Sequence, residues 1–374
     1  MLKSLVLLST AFGIGCASNP LGGGPVSGDL GTQDLATSAP VIDAFGSKRD
    51  SLSFDLTNPA LNDLRTPEVD MRSSIDLSMV GPAMSVLSGL SMPFGIAISS
   101  GTIFVADNAV GTIVSVPTSG GVMTVIASNQ QQPWGVVADN TFVYWTDYGT
   151  GPAFGSVMKI PLSGVGPPTF VATIVQPSEL AIDSTNLYVV TAGEPQIVSL
   201  MGGPAIPFGG WPTEGNYPYP PQFTTATAGN FCFGAGPLGA SNAPVACFNA
   251  QNVSQSTTDN ADLPLRGVAV DADRMFASGG NRVTSHLLNS PAGQWTTLAD
   301  AQNSPGPIAT DSTYAYWLQV DLLMKAPVDG SSTAIALATN TGYVPGASHI
   351  ALDSSTVYWT SRDGIRKAPK TGIP

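Results

Sequence analysis

The stretch FVYWTDYGTG, residues 142–151, sets two large aromatics, Tyr144 and Trp145, side by side, with a hydroxyl at Thr146 and a carboxylate at Asp147 directly behind. Such a cluster is either a ligand patch or a piece of scaffold, and recurrence decides between the two. Equivalents of Tyr144 stand at Phe104, Tyr188, Phe231, Phe276, Tyr316 and Tyr358. The gaps along that series are 40, 44, 43, 45, 40 and 42 residues. A fixed period of this length marks a repeat architecture. Five of the seven aromatics carry an Asp five residues earlier, at Asp139, Asp183, Asp271, Asp311 and Asp353. Ser99 takes that place in the first repeat and Ala226 in the fourth.

The residues around each aromatic define the unit. Before the Asp runs a short apolar segment, as in Gly95-Ile96-Ala97-Ile98, Gly135-Val136-Val137-Ala138 and Gly267-Val268-Ala269-Val270. A continuous apolar run of this length, bounded by turn residues, reads as a strand buried on both faces. A turn follows, then a strand carrying the aromatic. A third strand often ends in Pro, at Pro117, Pro161, Pro327 and Pro369, and a fourth is legible at 122–127, 169–172, 295–299 and 334–338. Four short strands per repeat predict the blade of a β-propeller.

Seven aromatics imply an all-β, seven-bladed propeller over 81–374, with six blades as the alternative if the weakly marked fourth repeat is an insertion. The last repeat ends at Pro374 without a fourth strand. The segment 83–88 matches that missing strand, so the N-terminal strand is expected to complete the last blade and remove its open edges. Because the aromatic and the Asp recur in equivalent places, the opening cluster reads as scaffold rather than as a ligand patch. The recurring Asp suits a turn in which its carboxylate accepts backbone N–H bonds.

Val143-Tyr144-Trp145-Thr146-Asp147, with Tyr316-Trp317 and Val357-Tyr358-Trp359-Thr360, resembles the YWTD repeats of low-density-lipoprotein-receptor-type propellers. The chain is also similar to NHL-type and lactonase-like propellers and to propeller lipoproteins of Gram-negative bacteria. Only one repeat has the complete motif; Asp107 matches its Asp, while Ser361 replaces it in the last repeat. The receptor propellers have six blades, so seven would set this chain apart.

Upstream, Met1-Leu2-Lys3 and the apolar run 5–14 read as a signal peptide, too short to span a bilayer. The run ends in Gly13-Ile14-Gly15-Cys16, which resembles a lipobox and implies acylation of Cys16. An outer-membrane lipoprotein facing the periplasm or the cell surface is expected, with an ordinary secreted protein as the alternative. Residues 16–80 are rich in Ser, Gly, Asp and Pro and read as a disordered tether. As a flexible coil it would span roughly 45 Å. Beyond Cys16 only Cys232 and Cys247 remain, in the second and third strands proposed for the fourth blade. A disulfide between them is expected in an oxidising compartment.

The formal charge is −12. An acidic chain with scattered bases argues against nucleic acid. No phosphate loop, GxSxG or HExxH occurs, and the two histidines, His286 and His349, are too few for a His-rich zinc site. Asp271-Ala272-Asp273 lacks the loop Gly and distal Glu of an EF-hand and reads as a turn. The lactonase-like resemblance implies a channel metal held by Glu, Asn and Asp, but of the residues that begin the inner strands only Glu179 is an acid, so that chemistry does not carry over. No cofactor or metal is expected. Phe94, Trp134, Glu179, Arg266 and His349, at or just before inner-strand starts, are the candidate binding residues around one channel mouth. A second candidate surface is the Pro- and Tyr-rich segment 211–221, with Trp211, Tyr217 and Tyr219. The functional expectation is an envelope-anchored, non-enzymatic binding propeller. Its ligand would be a protein, a glycan or a small polar molecule, and it would touch the membrane only through the lipid anchor. It is expected to be monomeric. The alternative is a propeller enzyme: a lyase, a lactonase or a glycan hydrolase.

Overall fold

The computed structural model describes residues 77, 80–151, 154–191, 193–208, 221–227, 230–235, 244–249, 252–260 and 264–373. The leader, Cys16, Trp211, Tyr217 and Tyr219 lie outside the described residues, and of the tether only Leu77 and Val80 are described.

The described residues form seven four-stranded antiparallel sheets and no helix. Blades 1 to 6 follow in chain order, over 93–127, 133–173, 177–207, 221–260, 265–299 and 308–339. Blade 7 takes three strands from 350–369, and Met84–Ser88 pairs antiparallel with Gly364–Pro369 as its fourth. Each inner strand touches the inner strand of the next blade, and the seventh touches the first. The result is a seven-bladed β-propeller closed in a ring, with no room for the six-bladed alternative. The fourth repeat is a complete blade, and its partner residues Cys232 and Cys247 are joined by a disulfide.

The repeat signature has a structural cause that goes further than a turn. In each of blades 2, 3, 6 and 7 one carboxylate oxygen accepts two backbone N–H bonds across the turn. For Asp353 these come from Ser355 at 2.8 Å and Thr356 at 2.7 Å. The other oxygen accepts the tyrosine hydroxyl five residues on, as from Tyr144 to Asp139 (3.1 Å), Tyr188 to Asp183 (2.6 Å), Tyr316 to Asp311 (2.8 Å) and Tyr358 to Asp353 (2.9 Å). Burial alone would raise the Asp183, Asp311 and Asp353 carboxyls, but the donated hydrogen bonds outweigh it, and all three sit below the usual carboxylate range. Asp271 follows the same turn pattern, accepting N–H bonds from Asp273 and Arg274.

Two further devices tie blade to blade. Thr146 Oγ1 accepts from Gly135 N in its own blade (3.0 Å) and donates to Ser178 O in the next (2.5 Å). Ser278, at the equivalent position of blade 5, donates to Gly306 O of blade 6. Lys159, Lys325 and Lys367 each precede a third-strand Pro by two residues. Their Nζ atoms donate to Leu200 O, Lys370 O and Thr118 O, in the turn of the following blade. Lys159 and Lys325 also lie over the Phe142 and Tyr314 rings at 4.7 and 4.5 Å, a favourable cation–π placement.

Candidate functional site

Three inner strands share a pattern in which a variable residue precedes a Gly: Phe94-Gly95, Trp134-Gly135 and Arg266-Gly267. The Gly is required by close approach. A Cβ at Gly95 would lie 2.5 Å from Val136 N, and one at Gly135 would lie 2.5 Å from Leu180 Cδ2. The residue before it carries no such demand and is free to face the channel.

Four of the five residues singled out in the sequence meet in one cluster drawn from four blades. Phe94 stacks on Trp134 with ring centroids 4.5 Å apart and an interplanar angle of 22°. Trp134 Nε1 donates to Glu179 Oε1 at 2.9 Å. The same oxygen lies 2.7 Å from His349 Nε2, across a separation of 170 residues. The His349 ring meets Phe94 edge-on, centroids 6.4 Å apart. The imidazole is fixed from its own blade as well: His349 N donates to Thr360 Oγ1 (2.8 Å), and Nδ1 lies 3.2 Å from Ala347 O.

These contacts set the charge state of the ring. Nε2 faces a carboxylate oxygen and Nδ1 faces a carbonyl oxygen, so both nitrogens are placed to donate, as only the imidazolium can. Burial pushes the imidazole pKa down. The charge and hydrogen bond of Glu179, with the Ala347 and Phe94 backbone, override it and hold the pKa above the ordinary histidine value. A raised folded-state pKa contributes stability that is fully present below the unfolded value and is lost as pH rises through the folded one. Glu179→Gln is therefore expected to lower the His349 pKa and to flatten the loss of stability on going from a pH below the ordinary histidine value to one well above it. Imidazole NMR titration of the two histidines, with denaturation at both pH values, checks this; an unaltered His349 titration in the variant would refute the pairing.

Beside the cluster the channel holds a cavity of about 580 Å³. Trp134, Tyr148, Glu179, Arg266 and His349 line it, together with an apolar strip from Val268, Val270 and Ile308 and the hydroxyls of Ser178, Thr224, Thr225 and Thr310. Phe94 is only 5% exposed and stands behind Trp134 as support. Tyr148, 5.9 Å from the Trp134 ring, was not predicted. Neither were the threonines of blade 4, although Thr224-Thr225-Ala226-Thr227 breaks the apolar pattern of the other inner strands and could have signalled them. Among the described residues, no three His, Cys, Asp or Glu side chains gather as metal ligands.

No protein-family model matches the chain. No curated protein sequence matches it either. Solved structures share its fold at low identity. Kuenenia stuttgartiensis hydrazine synthase superposes with a TM-score of 0.61 at 14% identity, covering 76% of this chain and 97% of that one. A streptogramin B lyase gives 0.59 at 14% identity, covering 76% and 96%. Virginiamycin B lyase from Staphylococcus aureus gives 0.57 at 10% identity, covering 76% and 97%. At such identities the likeness is one of β-propeller architecture, shared by proteins of different chemistry.

Proposed function

We propose that this chain is a non-enzymatic binding propeller of the YWTD/NHL-like type that takes a small polar ligand into its channel. The observation that carries the reading is the cavity itself. Its volume falls within the usual range for ligand pockets, and its wall mixes charged groups and hydroxyls with apolar and aromatic side chains. The propeller is held outside the cytoplasm, anchored to the outer membrane through Cys16. The Cys232–Cys247 disulfide supports an oxidising compartment.

A thermal-shift screen of small sugars, sugar acids, hydroxy acids and amino acids tests the binding reading. A ligand of this site raises the melting temperature of the wild type and not that of Trp134→Leu. If no compound does so while crosslinking in intact cells captures one dominant protein, the channel is not the functional surface. Cys16→Ser is expected to release the protein from the membrane fraction; retention there would overturn the anchor.

A second reading is favoured by the Glu179–His349 pair, an acid and an imidazole at a cavity wall. Lyase, lactonase or glycan hydrolase activity would use such a pair for proton transfer. Against it, both ring nitrogens are already engaged, which suits a fixed cation better than a general base. Mass spectrometry of screen ligands after incubation separates the two: a ligand recovered unchanged supports binding, and a converted one supports the enzyme.

A further inference from the structure

We propose that the channel cavity selects a small organic carboxylate, its acid group held by Arg266 and Thr224 and its flat or apolar body lying towards Trp134 and Tyr148. This rests on the binding reading above and names the ligand class for it.

The charges in the cavity point to an anion. Its described charged residues are Glu179, His349 and Arg266. The first two neutralise each other, and Trp134 donates to the same carboxylate oxygen. Arg266 is left over. Among the described residues nothing accepts a hydrogen bond from its guanidinium or pairs with it, and its one resolved electrostatic neighbour is the Tyr343 phenol. The third-strand lysines, by contrast, are each tied to a neighbouring blade. A partly buried guanidinium without a counter-charge is costly until an anion arrives, and its planar fork matches a carboxylate in bidentate geometry.

A second, independent feature lies on the adjoining inner strand. Thr224 lines the same cavity, and its Oγ1 is buried with no hydrogen-bond partner among the described residues. A hydroxyl can donate to a ligand oxygen. The wall also carries the apolar side chains Val268, Val270 and Ile308 and the tilted Trp134–Tyr148 pair, among further hydroxyls. One unpaired cation and an unpartnered hydroxyl, beside apolar and aromatic side chains, suit a carboxylate on a compact hydrophobic or aromatic body. They do not suit a cation, which Arg266 would repel.

The test uses the purified protein and three probes of one shape: phenylacetate, its neutral amide phenylacetamide, and the cation phenethylamine, each titrated calorimetrically. Phenylacetate is expected to bind, with the amide and the amine weaker by at least about tenfold. Arg266→Met is expected to lose at least about tenfold in phenylacetate affinity, with Arg266→Lys intermediate because it keeps the charge and loses the fork. Unchanged thermal melting of both variants shows that the fold is intact. Equal binding of amide and carboxylate, or full affinity in Arg266→Met, would overturn the proposal. If none of the three binds but a neutral sugar stabilises the wild type and not Trp134→Leu, the carboxylate class falls and the binding reading stands. If no small molecule binds, both fall.

Discussion

Replacing Tyr144 or Tyr358 by alanine is expected to destabilise the propeller by about 3–5 kcal/mol. Both side chains are almost wholly buried, Tyr144 at 1% exposed and Tyr358 at 3%. Both lie between blades rather than within one. Tyr144 packs with Val157 of its own blade and with Leu187, Val189 and Val198 of blade 3. Tyr358 packs with Ile103, Val105 and Val114 of blade 1, so it sits in the interface where the ring closes. Truncation removes the ring's contacts and leaves a cavity that two sheets would have to collapse to fill. It also removes the hydroxyl from Asp139 or Asp353. Tyr358→Phe separates the two contributions: it keeps the ring and should cost about 1–2 kcal/mol. The hydroxyl part has a pH signature. Asp353 is held below the usual carboxylate range, so its stabilisation is present above the unfolded-state value and is lost as pH falls through the folded one. Tyr358→Phe should narrow that acid loss. Urea unfolding at constant m reads both changes, and unaltered midpoints for the two alanine variants would sink the scaffold role of the recurring aromatic.

That role was legible in the sequence because the fold repeats. A spacing near 42 residues in all seven repeats, an apolar run before the Asp in five and a Pro ending the third strand in four are local patterns that reinforce one another. The Asp–Tyr hydrogen bond was within reach too, since the separation of five residues is constant, yet the Asp alone was read as a turn residue. The turn satisfies only one of its two oxygens, and the second oxygen had to go somewhere. The candidate site was half legible. Position told that Phe94, Trp134, Glu179, Arg266 and His349 stand at inner-strand starts around one channel mouth, where the repeat leaves the residue unconstrained, but not that Phe94 would be buried behind Trp134. Sequence could not tell that Glu179 and His349 touch. They come from blades 3 and 7, and a contact across 170 residues has no local trace. Nor could it tell that Arg266 stays out of that pairing, which depends on where each side chain points inside a channel.

Removing the disulfide, as Cys232→Ala with Cys247→Ala, is expected to cost about 3 kcal/mol and to loosen blade 4 ahead of the others. The two cysteines are direct cross-strand partners, with Cα atoms 4.0 Å apart and a separation of 15 residues in the chain. Blade 4 has more need of the link than its neighbours. Ala226 stands where five other blades place the turn Asp, and Phe231 stands where four of them place Tyr, so blade 4, like blade 1 with Ser99 and Phe104, has neither half of the Asp–Tyr bond. Packing takes over part of that work. Phe231 stacks on Tyr188 of blade 3 with centroids 3.9 Å apart, and Phe208, Phe233 and Phe248 gather around it. Asn230 Nδ2 reaches Asp271 O and Ala272 O of blade 5. Apolar packing fixes the sheet against its neighbours, but it does not fix the turn as a carboxylate does. The covalent link compensates by limiting how far the second and third strands can separate. Hydrogen exchange should then show faster opening of Asn230–Ala235 and Pro244–Asn249 in the double variant, with blades 2, 6 and 7 protected as in the wild type. Reductant should produce the same local loosening in the wild type and no further change in the variant. Exchange that rises uniformly over all blades would mean that the bond stabilises the ring as a whole, and that blade 4 is no weaker than the rest.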